Sequence, residues 1–206
     1  MFKRFFDAEN PLMRALAIAA DLLILNLFTL VCCLPVLTAG ASLSALCRCV
    51  QQIVRGEDGY LFRGFFRAFR ENLLRGGLLG LLFLLAGGLI WLDYRLAAAL
   101  VPPLRFTAAA LGVLVLAAAL YAFPLQARYE NPLRTTLKNA LFLTVACFPR
   151  TAGMVICTLA LWLIALHFFN YALPVLLMFG FSLPCYVCAL LYNEIFDRME
   201  KDNDGL

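Results

Sequence analysis

Charge is scarce in this sequence: Lys, Arg, Asp and Glu together make up 15% of its 206 residues, while 64% are hydrophobic. A soluble domain of this size cannot cover itself with so little charge, so that class is excluded. Histidine is nearly absent. The single one, His167, has no second histidine or nearby carboxylate, which excludes a histidine-based metal centre and a Ser-His-Asp arrangement. A Walker loop and a glycine-rich dinucleotide fingerprint are also missing. No catalytic residue, cofactor or metal is therefore expected, and the chain reads as non-enzymatic.

What the chain does have is long apolar runs. Its mean hydropathy is +0.87. Several stretches of roughly 18 or more residues are apolar around the whole helical circumference, the mark of an all-α polytopic membrane protein rather than a soluble bundle. The net charge of +4 would suggest nucleic acid in a soluble protein. Here the charges sit in the connections between apolar runs, so topology and anionic lipid headgroups explain them and no nucleic-acid partner is expected. The eight cysteines lie mostly inside apolar runs, which argues against a secreted disulfide framework.

Taken in order, the chain predicts a single membrane domain over residues 1–206. An N-terminal helical hairpin occupies 15–54, with arms Ala15 to Leu34 and Val36 to Val54 turning at Pro35. An interfacial amphipathic helix follows at 55–72. A four-span bundle fills 73–191, with spans at Leu73 to Trp91, Phe106 to Phe123, Thr151 to Phe169 and Leu173 to Leu191. A short cytoplasmic tail closes the chain at 192–206. The second arm of the hairpin is weakly apolar, so the count is five spans, or six if that arm crosses fully. If the hairpin forms, only Arg95 and Arg105 of the 17 Lys and Arg lie outside, and both termini are cytoplasmic. The first apolar run is too long for a cleaved leader and contains Asp21 and Asn26.

The one long polar passage runs from Arg55 to Arg75. On a helical wheel Phe65, Phe66, Phe69 and Leu73 fall within about 60° of Phe62, with Arg63, Arg67 and Arg70 on the adjacent edge. Such a helix buries an aromatic face at the acyl boundary and sets guanidinium groups against phosphates. A second mixed segment carries Arg128, Glu130 and Asn131, with Asn131-Pro132 as a helix start. Together they are candidate lipid or partner-docking residues.

Polar residues inside the first run are candidates of another kind. Asp21 and Arg48 lie at similar distances from Pro35, so a tight hairpin could pair them and offset the cost of ions in hydrocarbon. Asn26 and Thr29 can serve a solute path or bond a neighbouring helix. Cys185-Tyr-Val-Cys188 has redox spacing but sits in a predicted helix. Gly76, Gly77, Gly80, Gly87 and Gly88 permit close helix approach, within one chain or in a homo-oligomer.

In Asp7-Ala-Glu-Asn-Pro-Leu-Met-Arg14, Leu34-Pro-Val-Leu-Thr-Ala-Gly-Ala-Ser42, Asp58-Gly-Tyr-Leu-Phe-Arg-Gly-Phe-Phe-Arg-Ala-Phe-Arg70, Phe123-Pro-Leu-Gln-Ala-Arg-Tyr-Glu-Asn131 and Leu137-Lys-Asn-Ala-Leu141, the chain resembles the YesL-like family of bacterial membrane proteins of unknown function. The resemblance implies a small polytopic protein of the cell membrane, accessory to or regulatory for carbohydrate uptake and utilisation, with transporter membrane subunits as its partners. It carries no catalytic residues. Two alternatives stand beside it: a small solute transporter or channel using Asp21, Asn26 and Arg48, and a membrane thiol oxidoreductase.

Overall fold

The computed structural model describes residues 11–56, 61–100, 104–129, 131–167 and 178–204, and the elements named among them are all helical. They are α1 (Pro11–Cys32), α2 (Ala39–Arg55), α3 (Leu61–Glu71), α4 (Leu73–Leu100), α5 (Leu104–Arg128), α6 (Leu133–Ala146), α7 (Phe148–His167) and α8 (Ser182–Asp204). A single turn of 3-10 helix over Val36–Thr38 leads into α2. Within α1, α4 and α5, the segments Met13–Cys32, Leu73–Leu96 and Arg105–Arg128 are long and apolar enough to cross a membrane. A fourth crossing arises if α6 and α7 count as one span broken by a 99° bend.

The expected spans over 73–91 and 106–123 fall within α4 and α5, and that over 15–34 corresponds to α1, which ends two residues earlier at Cys32. The last one does not form as a single helix from Leu173. Residues 168–177 lie outside the described residues, a turn at Gly180-Phe181 interrupts the chain, and α8 starts only at Ser182. It then runs on to Asp204, so the expected short tail is the far end of a helix.

The weakly apolar second arm, α2, is the centre of the molecule, in contact with α1, α3, α4, α5 and α8. Gly40, Ala41, Ser42, Ser44, Ala45, Cys47, Cys49 and Gln51 are all buried. Its low hydropathy now has a reason. A helix facing hydrocarbon must be apolar all round, whereas one enclosed by other helices is selected for small side chains and for polar groups that find partners. At the crossing with α4 the backbones touch: a Cβ added to Gly40 would lie 2.6 Å from the Gly80 Cα, and one added to Gly80 would lie 2.5 Å from the Gly40 Cα. Gly76, one turn before Gly80, faces the Ala41 Cα and the Ser44 hydroxyl. Gly87 and Gly88, by contrast, meet nothing, and their part of α4 is exposed and apolar along with Leu85, Leu89 and Trp91.

Buried hydrogen bonds fix the less regular joints. Asn26 of α1 is fully buried, and its Oδ1 accepts the backbone N–H groups of Phe181 at 2.9 Å and Ser182 at 3.2 Å. It thereby satisfies two of the donors that the first turn of α8 leaves without helical acceptors. At the 99° bend, the Thr151 hydroxyl donates to the carbonyls of Thr144 (3.2 Å) and Cys147 (3.0 Å), and the buried Tyr121 hydroxyl lies 3.2 Å away. Helix α6 begins after Pro132, as expected, and lies against the last turns of α5, where Thr136 donates to Gln126 Oε1 at 3.1 Å.

Candidate functional site

The charged side chains of the bundle converge where α2 and α5 end and α4 begins. Helix α2 stops at Gly56, whose left-handed φ of 69° lets its N–H cap the carbonyls of Gln52 and Ile53. That places Arg55 in the last turn of α2. Arg128 occupies the last turn of α5, and Arg75 the first turn of α4. With Arg48, Gln51, Gln52, Glu71, Asn72 and Gln126 these residues line an open cleft of about 490 Å³.

Glu71 organises the cleft's edge. Arg48 Nη1 donates to its Oε2 at 2.7 Å, and Arg67 Nε donates to its Oε1 at 2.9 Å. The Arg67 guanidinium holds the Glu71 carboxyl below the usual carboxylate range; desolvation opposes the shift and Arg48 on the other oxygen adds to it. Behind this edge sit three amides that are almost wholly buried. Gln51 donates to the Pro124 carbonyl at 3.3 Å and to the Tyr192 hydroxyl at 3.5 Å, Asn72 donates to the Ala68 carbonyl at 3.1 Å, and Gln126 accepts from Thr136.

The expected pair of Asp21 and Arg48 does not form in this structure. Arg48 is engaged by Glu71, and the hairpin register keeps Asp21 away. Cys33 and Ser42 face one another, sulfur to oxygen at 2.8 Å, because the turn from Cys33 to Thr38 is longer than one pivoting at Pro35. Carried along both arms, that register sets Asp21 opposite Val54, six residues or about 9 Å from Arg48 along the helix.

The aromatic edge of α3 is also placed differently from the expectation of a face buried in lipid. Phe65 is fully buried and Phe66 and Phe69 are partly buried against the core. Phe28 of α1 stands among Phe62, Phe65 and Phe66, at ring-centroid separations of 5.3, 5.8 and 5.7 Å. Only Phe62 keeps an exposed ring. Arg63, Arg67 and Arg70 do lie on the exposed side. Arg128 Nη1 donates to Asn193 Oδ1 of α8 at 3.4 Å, and its guanidinium lies over the Tyr129 ring. Asn131 is half-buried at the approach to α6, and Glu130 lies outside the described residues.

Sequence reasoning missed Glu71, Gln51, Asn72, Gln126, Arg55 and Arg75 as one site. The visible signals were Arg67 and Glu71 at helical i, i+4 spacing and paired glutamines at the end of a weakly apolar arm. It also missed that Cys47 and Cys185, 138 positions apart, bring their sulfurs to 3.4 Å. No group of three or more metal-ligating side chains occurs among the described residues.

A family described as "Protein of unknown function, DUF624" matches residues 22–94, which run from α1 through α2 and α3 into α4 and include Arg48, Arg55, Glu71 and Arg75 of the cleft. An uncharacterized protein of Bacillus subtilis (strain 168), YteU, is 28% identical over 123 residues, covering 58% of this chain and 55% of the relative. The chain thus aligns with about half the length of that curated relative. No solved structure matches. Neither match bears the YesL-like name, which stays a resemblance.

Proposed function

We propose that this is a non-enzymatic protein of the bacterial cell membrane that works through the charged end of its bundle, as an accessory or regulatory partner of carbohydrate uptake. In this reading both termini, α3 and the cleft are cytoplasmic. Five to six segments span the bilayer, the α1–α2 hairpin deciding between the two counts. The observation that carries the reading is the convergence of Arg48, Arg55, Arg75 and Arg128 with the outward arginines of α3 at one end of a bundle whose helices α1, α4 and α5 expose long apolar faces. Cations retained at one end orient a membrane protein, and an exposed, ion-paired helix there is a docking surface. The carbohydrate assignment rests on the family resemblance alone.

The docking surface is the cationic side of α3, since its aromatic side is largely taken up by Phe28. Affinity purification from native membranes is expected to bring down transporter membrane subunits. Combined Arg63→Gln, Arg67→Gln and Arg70→Gln should release them while leaving the protein folded. Retention of the same partners by that variant would count decisively against the reading. The transporter alternative loses support, because Asn26 is committed to the start of α8 and Arg48 to Glu71.

A further inference from the structure

Helices α2, α5, α7 and α8 do not close completely on one another. They leave a cavity of about 220 Å³, with Leu43 and Leu46 of α2 on one wall and Leu116, Leu120 and Phe123 of α5 on another. Small side chains make the space: Cys47, Ala119, Gly180, Cys185 and Cys188 line it where a Leu or Phe would fill it. The lining runs from Leu116 to Pro124 along α5 and from Pro184 to Tyr192 along α8, about 12 Å on each axis. A cavity of that volume drawn out over that length is narrow, which suits a single flexible chain better than a ring system.

The use of the polar lining groups sets its chemistry. Thr158 Oγ1 and Cys188 Sγ lie 3.6 Å apart, the Cys47 and Cys185 sulfurs lie 3.4 Å apart, and the Tyr192 hydroxyl accepts from Gln51 at 3.5 Å. These groups are engaged with the protein, and what they leave for an occupant is hydrocarbon surface. An occupant burying oxygen or nitrogen atoms there would lose hydrogen bonds to water without replacement. Apolar cavities of about 150 Å³ stay dry and take up apolar molecules, so this one is large enough.

Its position supplies the hydrocarbon. The α5 wall belongs to Arg105–Arg128, which is long and apolar enough to cross a membrane, and Thr158 and Trp162 belong to Phe148–Ile164 of the bent α6–α7 pair. At one end Trp162 meets Phe181 edge to face, with ring centroids 6.1 Å apart. Trp162 stays 38% exposed beside the exposed Leu159 and Leu163 of its own helix, so a chain from the surrounding lipid can enter there. The buried Tyr192 stands at the opposite end.

We propose that this cavity is a binding site for one acyl chain of a membrane phospholipid. The site stands apart from partner docking through α3, and it holds for either orientation of the chain in the bilayer.

The test places the full chain in phosphatidylcholine nanodiscs doped with an analogue that carries a diazirine on one acyl chain, and maps the photo-adducts by peptide mass spectrometry. Leu46 is 1% exposed and Cys47 8%, on a helix enclosed by α1, α3, α4, α5 and α8, so a lipid chain reaches them only through the cavity. Wild type should carry adducts on both, alongside adducts on the exposed Leu85 and Leu89 of α4, which report contact with bulk lipid. Ala119→Phe and Leu116→Trp fill the cavity and should lower the α2 adducts several-fold relative to those of α4. Copper phenanthroline should still join Cys47 to Cys185 in these variants, which shows that α2 and α8 keep their places. Labelling of α4 with none on Leu46 or Cys47 in wild type would overturn the proposal, as would undiminished α2 labelling in the filled variants. Native mass spectrometry that finds a quinone or another molecule in place of a phospholipid on the purified protein would overturn it too.

Discussion

Glu71 bridges Arg48 of α2 and Arg67 of its own helix α3, one guanidinium on each carboxylate oxygen. That carboxylate ties the central helix to the junction of α3 and α4, and its charge state sets whether Arg48 is held or released.

Its pH dependence follows from the sign of the shift. The folded carboxyl titrates below its unfolded value of about 4.3, so its contribution is complete above that value and is lost as pH falls through the folded one. The stability difference between wild type and Glu71→Gln should be constant from about pH 5 to 8 and be lost as pH falls through the lowered value of the folded carboxyl. It should also be small, since both side chains of the α2–α3 pair are more than a third exposed. Denaturation midpoints of the two proteins across that range check the sign.

The glycine crossing sorts the glycines of α4 into two classes. Gly80→Ala and Gly40→Ala must push backbones apart and should each destabilise by about 1–3 kcal/mol or prevent folding, as overpacking does. Gly87→Ala and Gly88→Ala meet open space and should be neutral or stabilise by about 0.5–1 kcal/mol through helix propensity. Unfolding in detergent read by circular dichroism separates the classes.

Asn26→Leu leaves two N–H groups at the start of α8 without their acceptor. The expected loss is about 1–3 kcal/mol, with the damage confined to α8 and its contacts. Hydrogen exchange should show faster exchange at Phe181 and Ser182 and little change in α4 and α5.

Cys47 and Cys185 should crosslink on treatment with copper phenanthroline, the two thiols giving one disulfide while the oxidant takes up two electrons. Their sulfurs are already 3.4 Å apart. Cys185 and Cys188, the pair with redox spacing in sequence, sit one turn apart on α8. Peptide mapping should therefore join Cys47 to Cys185 in wild type and lose that product in Cys47→Ser.

The helices of this fold were legible because hydrocarbon-facing segments declare themselves: α1, α4 and α5 follow from unbroken apolar runs, and α6 from Asn131-Pro132. The role of α2 was not, because hydropathy measures fitness for lipid, and Ser42, Ser44 and Gln51 are buried by protein. The aromatic stripe of α3 was read correctly as a stripe, yet periodicity does not say whether lipid or Phe28 covers it. The Asp21 to Arg48 register failed on the length of the turn after Cys33. The cleft was hidden for a simpler reason: its residues come from four helices and lie up to 80 positions apart, and no local pattern links Arg48 to Arg128.

In the proposed orientation the charged end built around α2 faces the cytoplasm and is open there. The most direct measurement is labelling of Gln52→Cys, a cleft residue, in a variant whose native cysteines are replaced, with a membrane-impermeant maleimide. Inverted membrane vesicles should label readily and intact cells should not. Labelling in intact cells would place the cleft on the outer face and rule out the proposed orientation.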